Sequence, residues 1–478
     1  MNFRRIFHLT GLVLLIEAGL LLIPLFTAFI YHESVVPYLI TICVAAAVGV
    51  GFVSIPVHSD HFVSRDGYVL VTFSWILMIA VGIIPFLLCD GGVSNVADAI
   101  FETASGFTTT GATIFTDVEK IPYGLLMWRA LTQWIGGMGV LVFLLALLPK
   151  SSGSNVHIMR AEMPGPTVEK LVPKTRNTAL WLYGMYIILT VSEIVLLICG
   201  GMPLFDAIVN SFATASTGGF SMKADGIFSY GAYAEIVITV FMVLFGVNFS
   251  VFFLLLFRRF KEAFKNEELI AFIMIYCVAT VSIFLNIRSM YSGGDSLRHA
   301  AFQTASIMTT TGFSTADTNL WPTFSKAILM FLTITGACAG STAGGVKVSR
   351  VLIMGKSVLY EVRQLVRPRT VQSIKQDSKS LNSTVVHSTY LFFYAYILIV
   401  MLTVVCVSLD GYDFETTFSA TIACIGDVGP GFGLVGTMGS YNIFSAANKI
   451  VLSVAMLLGR LEIIPVLVFL SPSAYHQK

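Results

Sequence analysis

Charge is what this sequence has least of. Its 29 lysines and arginines and 27 acids make up 12% of 478 residues, where a soluble protein averages about 25%. The net charge of +2 by itself says nothing about a nucleic-acid partner, so any electrostatic argument must use where the charges lie; no nucleic-acid partner is expected. Paired cysteines are missing too. Cys43, Cys89, Cys199, Cys277, Cys338, Cys406 and Cys424 stand singly with no CxxC among them, so a disulfide or structural-metal framework is unsupported. The eight histidines are scattered and lack ligand spacing. There is no GxxxxGK(S/T) loop, no dinucleotide fingerprint, no paired-carboxylate site and no catalytic triad. An enzyme is therefore not expected, nor a cofactor bound by this chain. A cleavable leader is also lacking: Arg4 and Arg5 precede an apolar run, but Ile6 to Ile30 is too long for a signal core and no small-residue cleavage site follows. That run is expected to stay as a first span.

What is there is apolar, 56% of the chain. Runs of about 20 residues, the length that crosses a bilayer, fall near 6–30, 36–57, 67–89, 124–148, 179–200, 232–257, 267–288, 324–354, 387–409 and 446–470. The chain is expected to be an all-α, multi-pass membrane protein with a lipid bilayer as its medium. The first two runs make a hairpin. The remaining eight pair off, and each pair encloses a copy of one motif.

That motif reads Ala305-Ser-Ile-Met-Thr-Thr-Thr-Gly312-Phe-Ser314. Thr103-Ala-Ser-Gly-Phe-Thr-Thr-Thr-Gly111-Ala-Thr113 is a close copy, Thr214-Ala-Ser-Thr-Gly-Gly219-Phe-Ser221 a looser one, and Ile422-Ala-Cys-Ile-Gly-Asp-Val-Gly429-Pro-Gly431 a degenerate fourth. The central glycines are 108, 93 and 117 residues apart, too far for a solenoid unit, which points to fourfold repetition of a whole membrane module. A polar, irregular segment between spans cannot face lipid and must line something aqueous. Four around one axis would make an ion filter of backbone carbonyls and threonine oxygens. The candidates are Thr109, Thr110 and Gly111; Thr217, Gly218 and Gly219; Thr310, Thr311 and Gly312; and Asp427, Val428 and Gly429. The competing reading of Thr-Thr-Gly is a membrane-embedded turn without an ion. Asp427 stands where the other copies have threonine, and two readings are open: a carboxylate drawing cations, or one bonded to nearby N–H groups.

Before each motif lies a short amphipathic stretch, such as Ser94 to Phe107 or Leu204 to Ala215, which rises about 20 Å and suits a re-entrant helix. Asp98, Asp206 and Asp413 stand near three of their starts, where a carboxylate favours a helix N-terminus. The pattern implies the divisions 1–62 for the hairpin and 63–150, 151–262, 263–380 and 381–478 for four units of span, pore helix, filter loop and span. Lysine and arginine collect in the stretches between units: 149–177, 258–265 and 347–379. Those loops are expected in the cytoplasm and the filters outside. All four units then enter the membrane in one direction, as a pseudosymmetric pore requires, in contrast to inverted-repeat transporters.

Two further features bear on the pore. Gly336-Ala-Cys-Ala-Gly340-Ser-Thr-Ala-Gly344-Gly345 interrupts the run from Phe324, and four glycines cost a helix about 4 kcal/mol relative to alanine. The sequence predicts a break there below the filter, with tight packing of an unbroken helix as the other reading. Arg460, in the last run, either projects its charge into the pore or meets an acid or the cytoplasmic surface. Glu17 and Glu193 also lie in apolar runs, where hairpin packing or an interfacial position is the plainer expectation.

These residues, with Trp134-Ile-Gly-Gly-Met-Gly139, Phe245-Gly-Val-Asn-Phe-Ser250 and Gly459-Arg-Leu-Glu462, resemble the Trk/Ktr/HKT superfamily of potassium transporters along essentially the whole chain. The N-terminal hairpin and the Gly429-Pro-Gly431 ending are more similar to its bacterial TrkH branch than to KtrB. The resemblance implies filter glycines at Gly111, Gly219, Gly312 and Gly429, an intramembrane gating loop over Gly336 to Gly345 and a pore arginine at Arg460. It also implies potassium as the substrate, a bacterial cytoplasmic-membrane location and a homodimer with two pores. A cytosolic TrkA-type ring that binds the nucleotides is the implied regulator. Asp427 departs from the asparagine of this branch. A gated channel-like pore and a symporter coupled to sodium or protons both fit. The lack of an evident acid relay favours the channel.

Overall fold

The computed structural model describes residues 1–57, 62–139, 175–367, 373–377 and 379–475. The basic stretch 149–177 lies almost wholly outside the described residues, as do Arg369 and the part of the 124–148 run beyond residue 139. Elsewhere the apolar runs become helices. The first is α1 (Phe3–Leu20) and α2 (Leu22–Ile30), one apolar stretch of 28 residues, which packs beside α3 (Val36–Val53).

Four units follow. The first holds α4 (Ser64–Leu88), α5 (Val96–Phe107) and α6 (Tyr123–Met138). The second holds α7 (Thr175–Cys199), α8 (Leu204–Ser216), α9 (Gly231–Gly246) and α10 (Phe249–Leu256), followed by a single turn, α11 (Phe260–Ala263). The third holds α12 (Glu267–Ile287), α13 (Gly293–Met308), α14 (Thr323–Thr335) and α15 (Val348–Val366). The fourth holds α16 (Ser383–Val407), α17 (Phe414–Ile425), α18 (Ala446–Arg460) and α19 (Ile464–Leu470). Among the described residues seven helices are long and apolar enough to cross a membrane, or eight with the bent pair α18 and α19. Outer helices turn large apolar side chains outward, such as Ile188, Val191 and Val195 on α7 and Leu398, Met401 and Val405 on α16. In water such faces would be a liability; in lipid they are the solvent-facing surface.

The short helices α5, α8, α13 and α17 have 12 to 16 residues, too few to span. Each is started by local chemistry. Asn95 Oδ1 accepts from the Ala97 N–H, Ser292 Oγ from that of Asp295, and Asp413 Oδ2 from that of Thr416, while α8 begins directly after Pro203. Hydrogen bonds from the Thr416 N–H and hydroxyl hold the Asp413 carboxyl below the ordinary carboxylate range. Asp98 and Asp206 serve differently: Asp98 pairs with Lys449 at 2.6 Å, and Asp206 accepts from Tyr230 Oη at 2.8 Å.

Three of the long apolar runs are broken. The 324–354 run divides as its glycines foretold, with residues 336–347 between α14 and α15. The 232–257 run, read as one span, divides at Val247–Asn248, where Asn248 Oδ1 caps α10 by accepting from the Ser250 N–H at 2.8 Å. The 446–470 run was also read as one span, and it turns by 118° between α18 and α19. Glu462 and Ile463 have φ of +55° and +67° there. Glu462 has left the helix and takes Arg350 in a two-pronged ion pair at 3.0 and 2.6 Å, a geometry that suits guanidinium and carboxylate.

Candidate functional site

Each short helix ends in the same turn. Two residues before the glycine the backbone is left-handed in all four copies: Thr109 at φ +58°, Thr217 at +56°, Thr310 at +58° and Asp427 at +54°. Threonine avoids that region, so three such outliers, with an aspartate at the fourth equivalent position, mark a site whose surroundings hold them there. The N–H after it bonds back to the short helix six residues before the glycine: Thr110 to Ser105 O, Gly218 to Ala213 O, Thr311 to Ser306 O and Val428 to Ala423 O, at 2.8–2.9 Å. The N–H groups are thus consumed by the helix. The carbonyls of Thr109, Thr110, Gly111, Thr217, Gly219, Thr310, Thr311, Gly312, Asp427 and Val428 accept no hydrogen bond among the described residues.

The glycines show how the copies meet. All four have positive φ. A Cβ on Gly111 would overlap the Gly218 carbonyl oxygen, on Gly219 that of Thr311, on Gly312 that of Val428, and on Gly429 that of Thr110. Every copy therefore abuts the carbonyl before the next glycine, and the fourth returns to the first. The segments close into a ring, and only a residue without a side chain lets neighbours approach so closely. Above it opens a cavity of about 430 Å³ lined by all four glycines together with Thr113, Phe220 and Tyr441.

The ring is not fourfold in detail. Ser105 and Ser306 hydroxyls each donate at 2.6 Å to the carbonyl after their glycine, Ala112 and Phe313, whereas copies two and four have alanine there. Gln133 Nε2 donates to Gly218 O at 2.6 Å, and Tyr441 Oη to Gly429 O at 2.6 Å. Asp427 Oδ1 accepts from Thr110 Oγ1 at 3.0 Å. Of the two sequence readings of this acid, bonding to backbone N–H groups is not seen among the described residues.

Sequence reading missed the brace behind copy one. Glu102, fully buried, accepts from the Ile114 N–H and from Thr113 Oγ1, and pairs with Arg129 at 2.8 Å. Arg129 is 2% exposed and lies 3.9 Å from the centre of the Phe220 ring in copy two. An arginine in the apolar run 124–148 was the available signal. Removing one partner leaves the other charge buried, at a cost of about 3–5 kcal/mol. Arg129→Ala is therefore expected to lower the melting temperature of the purified protein strongly, and Arg129→Ala with Glu102→Gln to recover part of it. Equal melting temperatures for Arg129→Ala and the parent would show that the pair braces nothing.

Below the ring lies the segment 336–347. Gly336, Gly340 and Gly345 have positive φ, as does Lys347 at the start of α15. Gly344 N–H donates to Thr310 Oγ1 at 2.7 Å. The loop is tied to the break at Val247–Asn248: Cys338 N–H donates to Gly246 O, and Phe249 N–H to Gly340 O. Glu268 Oε1 accepts from Ala339 and Ser349 N–H, at 2.7 and 3.0 Å, and so ties both ends of the loop. Lys347 is buried and donates to Ala343 O. It and the buried Arg350 thus lie against the loop and not among the exposed charges of 347–379. Arg460 ends α18 and donates to Thr342 O in the loop and to Gly136 O and Gly137 O at the end of α6, at 2.8, 2.5 and 2.6 Å. These three partners are all backbone carbonyls. Glu17 and Glu193 are buried, with no hydrogen-bond partner among the described residues.

Comparisons with known proteins place this arrangement. Residues 37–478 match the family model TrkH, described as cation transport protein. The chain is 35% identical to the Trk system potassium uptake protein TrkH of Vibrio parahaemolyticus, with 100% of both chains covered. It is 32% identical to the Trk system potassium uptake protein TrkG of Escherichia coli over 98% of each. The crystal structure of the potassium transporter TrkH from Vibrio parahaemolyticus superposes with a TM-score of 0.90 at 33% identity, covering 100% of both chains. With a family match over most of its length and full-length relatives of the same architecture, this multi-span membrane protein belongs to the TrkH family of cation transport proteins.

Proposed function

We propose that this chain takes up potassium across the bacterial cytoplasmic membrane through a selective, gated, channel-like pore. The observation that carries the reading is the closed ring of four turns in which, Gly218 O and Gly429 O apart, the carbonyls from Thr109–Gly111, Thr217–Gly219, Thr310–Gly312 and Asp427–Gly429 accept no hydrogen bond among the described residues. Carbonyls held in a ring replace the hydration shell of an ion of matching size. The names of the relatives, potassium uptake proteins, supply the ion. Residues Thr109–Gly111, Thr217–Gly219, Thr310–Gly312 and Asp427–Gly429 are the filter, and Gly336, Gly340, Gly344 and Gly345 with Arg460 are the gate. Uptake into liposomes holding the purified protein, with potassium, rubidium and sodium offered in turn, tests this. Potassium and rubidium are expected to enter at least tenfold faster than sodium, and equal rates for all three would remove the filter.

The buried carboxyl of Glu193, beside pore helix α8, favours a second reading in which potassium moves with sodium or protons. Reversal potentials decide between the two. For the channel they follow the potassium gradient alone, and for the symporter they shift when a sodium or proton gradient is imposed.

Control by a TrkA-type cytosolic subunit that binds nucleotides, and assembly as a homodimer, complete the proposal. Arg258, Arg259, Lys261 and Lys265 are exposed, as are Arg363 and Arg367 toward the end of α15, on the helix that leaves the loop. Purification from native membranes is expected to bring a nucleotide-binding protein with this chain at a mass that fits two copies. Recovery of this chain alone counts against the partner.

A further inference from the structure

The segments that leave the ring differ in one charge. Four residues after the ring glycines stand Phe115, Lys223, Ala316 and Gly433, so copy two alone sets an ammonium there. Lys223 is half-buried and lines the cavity above the ring. Its backbone is held in a tight turn. The Lys223 N–H donates to Ser221 Oγ at 3.1 Å, the Gly226 N–H to Lys223 O at 3.2 Å, and Ser221 Oγ to Gly226 O at 3.1 Å. The Ile227 N–H then ties the turn to copy three through Ser314 O at 2.9 Å. The ammonium stands 4.4 Å from the centre of the Tyr230 ring, a contact that orients a cation without cancelling its charge.

The rest of the lining leaves that charge standing. Among the described residues around the cavity there is no aspartate or glutamate, and the other charged residue, Arg129, is paired with Glu102 at 2.8 Å. No carboxylate lies within ion-pair distance of Lys223 among the described residues. The acids of the neighbouring segments have partners of their own. Asp225 Oδ2 accepts from Ser229 Oγ, Asp206 Oδ2 from Tyr230 Oη at 2.8 Å, and Asp117 pairs with Lys120 at 2.6 Å. Asp317 Oδ1 accepts from the Asn319 N–H at 2.9 Å and from Thr437 Oγ1 at 3.4 Å. A mouth lined this way is the reverse of the acidic rings that gather cations at the entrance of other pores.

We propose that Lys223 is a specificity-determining residue at the mouth of the pore, whose fixed charge holds divalent cations out of the cavity above the ring while monovalent ones pass. The inference rests on the reading of the ring as a potassium filter. Carbonyl dipoles attract a doubly charged ion more strongly than a singly charged one, and backbone carbonyls are ordinary ligands of calcium. A divalent ion that reaches such a ring is held too firmly to leave, whereas conduction needs binding weak enough for exit. Repulsion by a fixed charge is proportional to the charge of the ion. The factor by which Lys223 dilutes divalent ions in the cavity is therefore the square of its factor for potassium. Low-dielectric walls strengthen the field inside a cleft, so one ammonium has a measurable effect. The ring selects by size, and Lys223 by charge.

Calcium is the probe. Potassium flux is measured across lipid bilayers holding the purified protein, with calcium added on the side of the cavity. Lys223→Glu is expected to lower the half-inhibiting calcium concentration about tenfold or more, and Lys223→Gln about threefold, because the field of the cleft is reversed in one and removed in the other. Lys223→Arg, which keeps the charge, is expected to match the parent. The shift also depends on salt. It is expected to be wide at about 0.01 M ionic strength, where the Debye length is about 30 Å, and nearly lost at about 1 M, where it is about 3 Å. Equal half-inhibiting concentrations in the parent and Lys223→Glu overturn the assignment. A shift of the same size at both ionic strengths overturns it too, since a distorted turn produces that without any field. Should Lys223→Glu fail to fold, Lys223→Gln decides: unchanged calcium sensitivity at low ionic strength overturns the assignment, and greater sensitivity supports it. A parent that passes potassium and sodium equally removes the ring as a filter instead, and the comparison of parent with Lys223→Glu then still reads the charge at the mouth.

Discussion

Gly312→Ser is expected to lower the preference of flux for potassium over sodium at least tenfold. Gly312 has φ of +82°, where an L-residue costs about 1–2 kcal/mol. Its Cβ would overlap the Val428 carbonyl oxygen and stand 2.8 Å from Pro430 Cδ. The proline ring is fixed and the carbonyl belongs to the ring of turns, so the carbonyl has to rotate. Discrimination between two ions of equal charge depends on carbonyl placement, and a change of about 1.4 kcal/mol in differential binding is already tenfold. Gly219→Ser is expected to act alike, because it would overlap the Thr311 carbonyl oxygen in the same way. Gly184→Ser is the control: this glycine lies within α7, and a Cβ there meets nothing within 4 Å. Selectivity retained in both filter variants would remove the ring from the account of selectivity.

The ring of four turns was legible in the sequence because a chemical pattern occurs four times between apolar runs. Repetition reveals equivalent positions, and equivalence implies an axis. What repetition does not reveal is where one copy departs from another through a distant partner. Gln133 reaches Gly218 O and Tyr441 reaches Gly429 O from segments outside the motif, and no local spacing announces either. The Glu102–Arg129 pair is 27 residues apart in sequence and looks, one residue at a time, like two isolated charges in apolar surroundings. The broken spans divide on the same principle. Four glycines made the 336–347 break readable, since helix propensity is a local quantity. The break at Val247–Asn248 has a weaker local sign, Gly246 and a capping asparagine. It exists because the Cys338 N–H and the Gly340 carbonyl bond across it. The turn after Arg460 depends on Glu462 meeting Arg350, 112 residues away. A hydropathy run averages over such residues and returns a straight span.

Removal of Ala337 to Ala339, and separately Arg460→Ala, is expected to raise potassium flux in the absence of any regulator by about tenfold or more. The loop is held under the ring by identifiable bonds. Gly344 N–H binds Thr310, Ala339 and Ser349 N–H bind Glu268, Cys338 N–H binds Gly246 O, and Arg460 binds Thr342 O. Deleting Ala337 to Ala339 removes the Cys338 and Ala339 bonds and shortens the chain that must reach Thr310. A neutral hydrogen bond contributes about 0.5–1.5 kcal/mol and one to a charged group about 1.5–3. Losing the pair therefore shifts a closed-to-open equilibrium by enough for a tenfold change in the open population. Arg460→Ala acts through another element. It releases Thr342 from α18 and α6 together, and it takes a positive charge from a low-dielectric passage where a cation must go. The two variants weaken different contacts of one loop, so combining them is expected to raise flux further until the pore is fully open. Lys356, which pairs with Glu267 and donates to Lys375 O at 2.7 Å, sits on α15 beyond these bonds; it gives a partner's pull on that helix something to work against. Lys356→Ala is accordingly expected to lower the threshold for regulation without opening the pore by itself. If the loop-shortened and Arg460→Ala proteins fold, reach the membrane and conduct no faster than the parent, residues 336–347 are a strut and the barrier to potassium stands elsewhere along the axis.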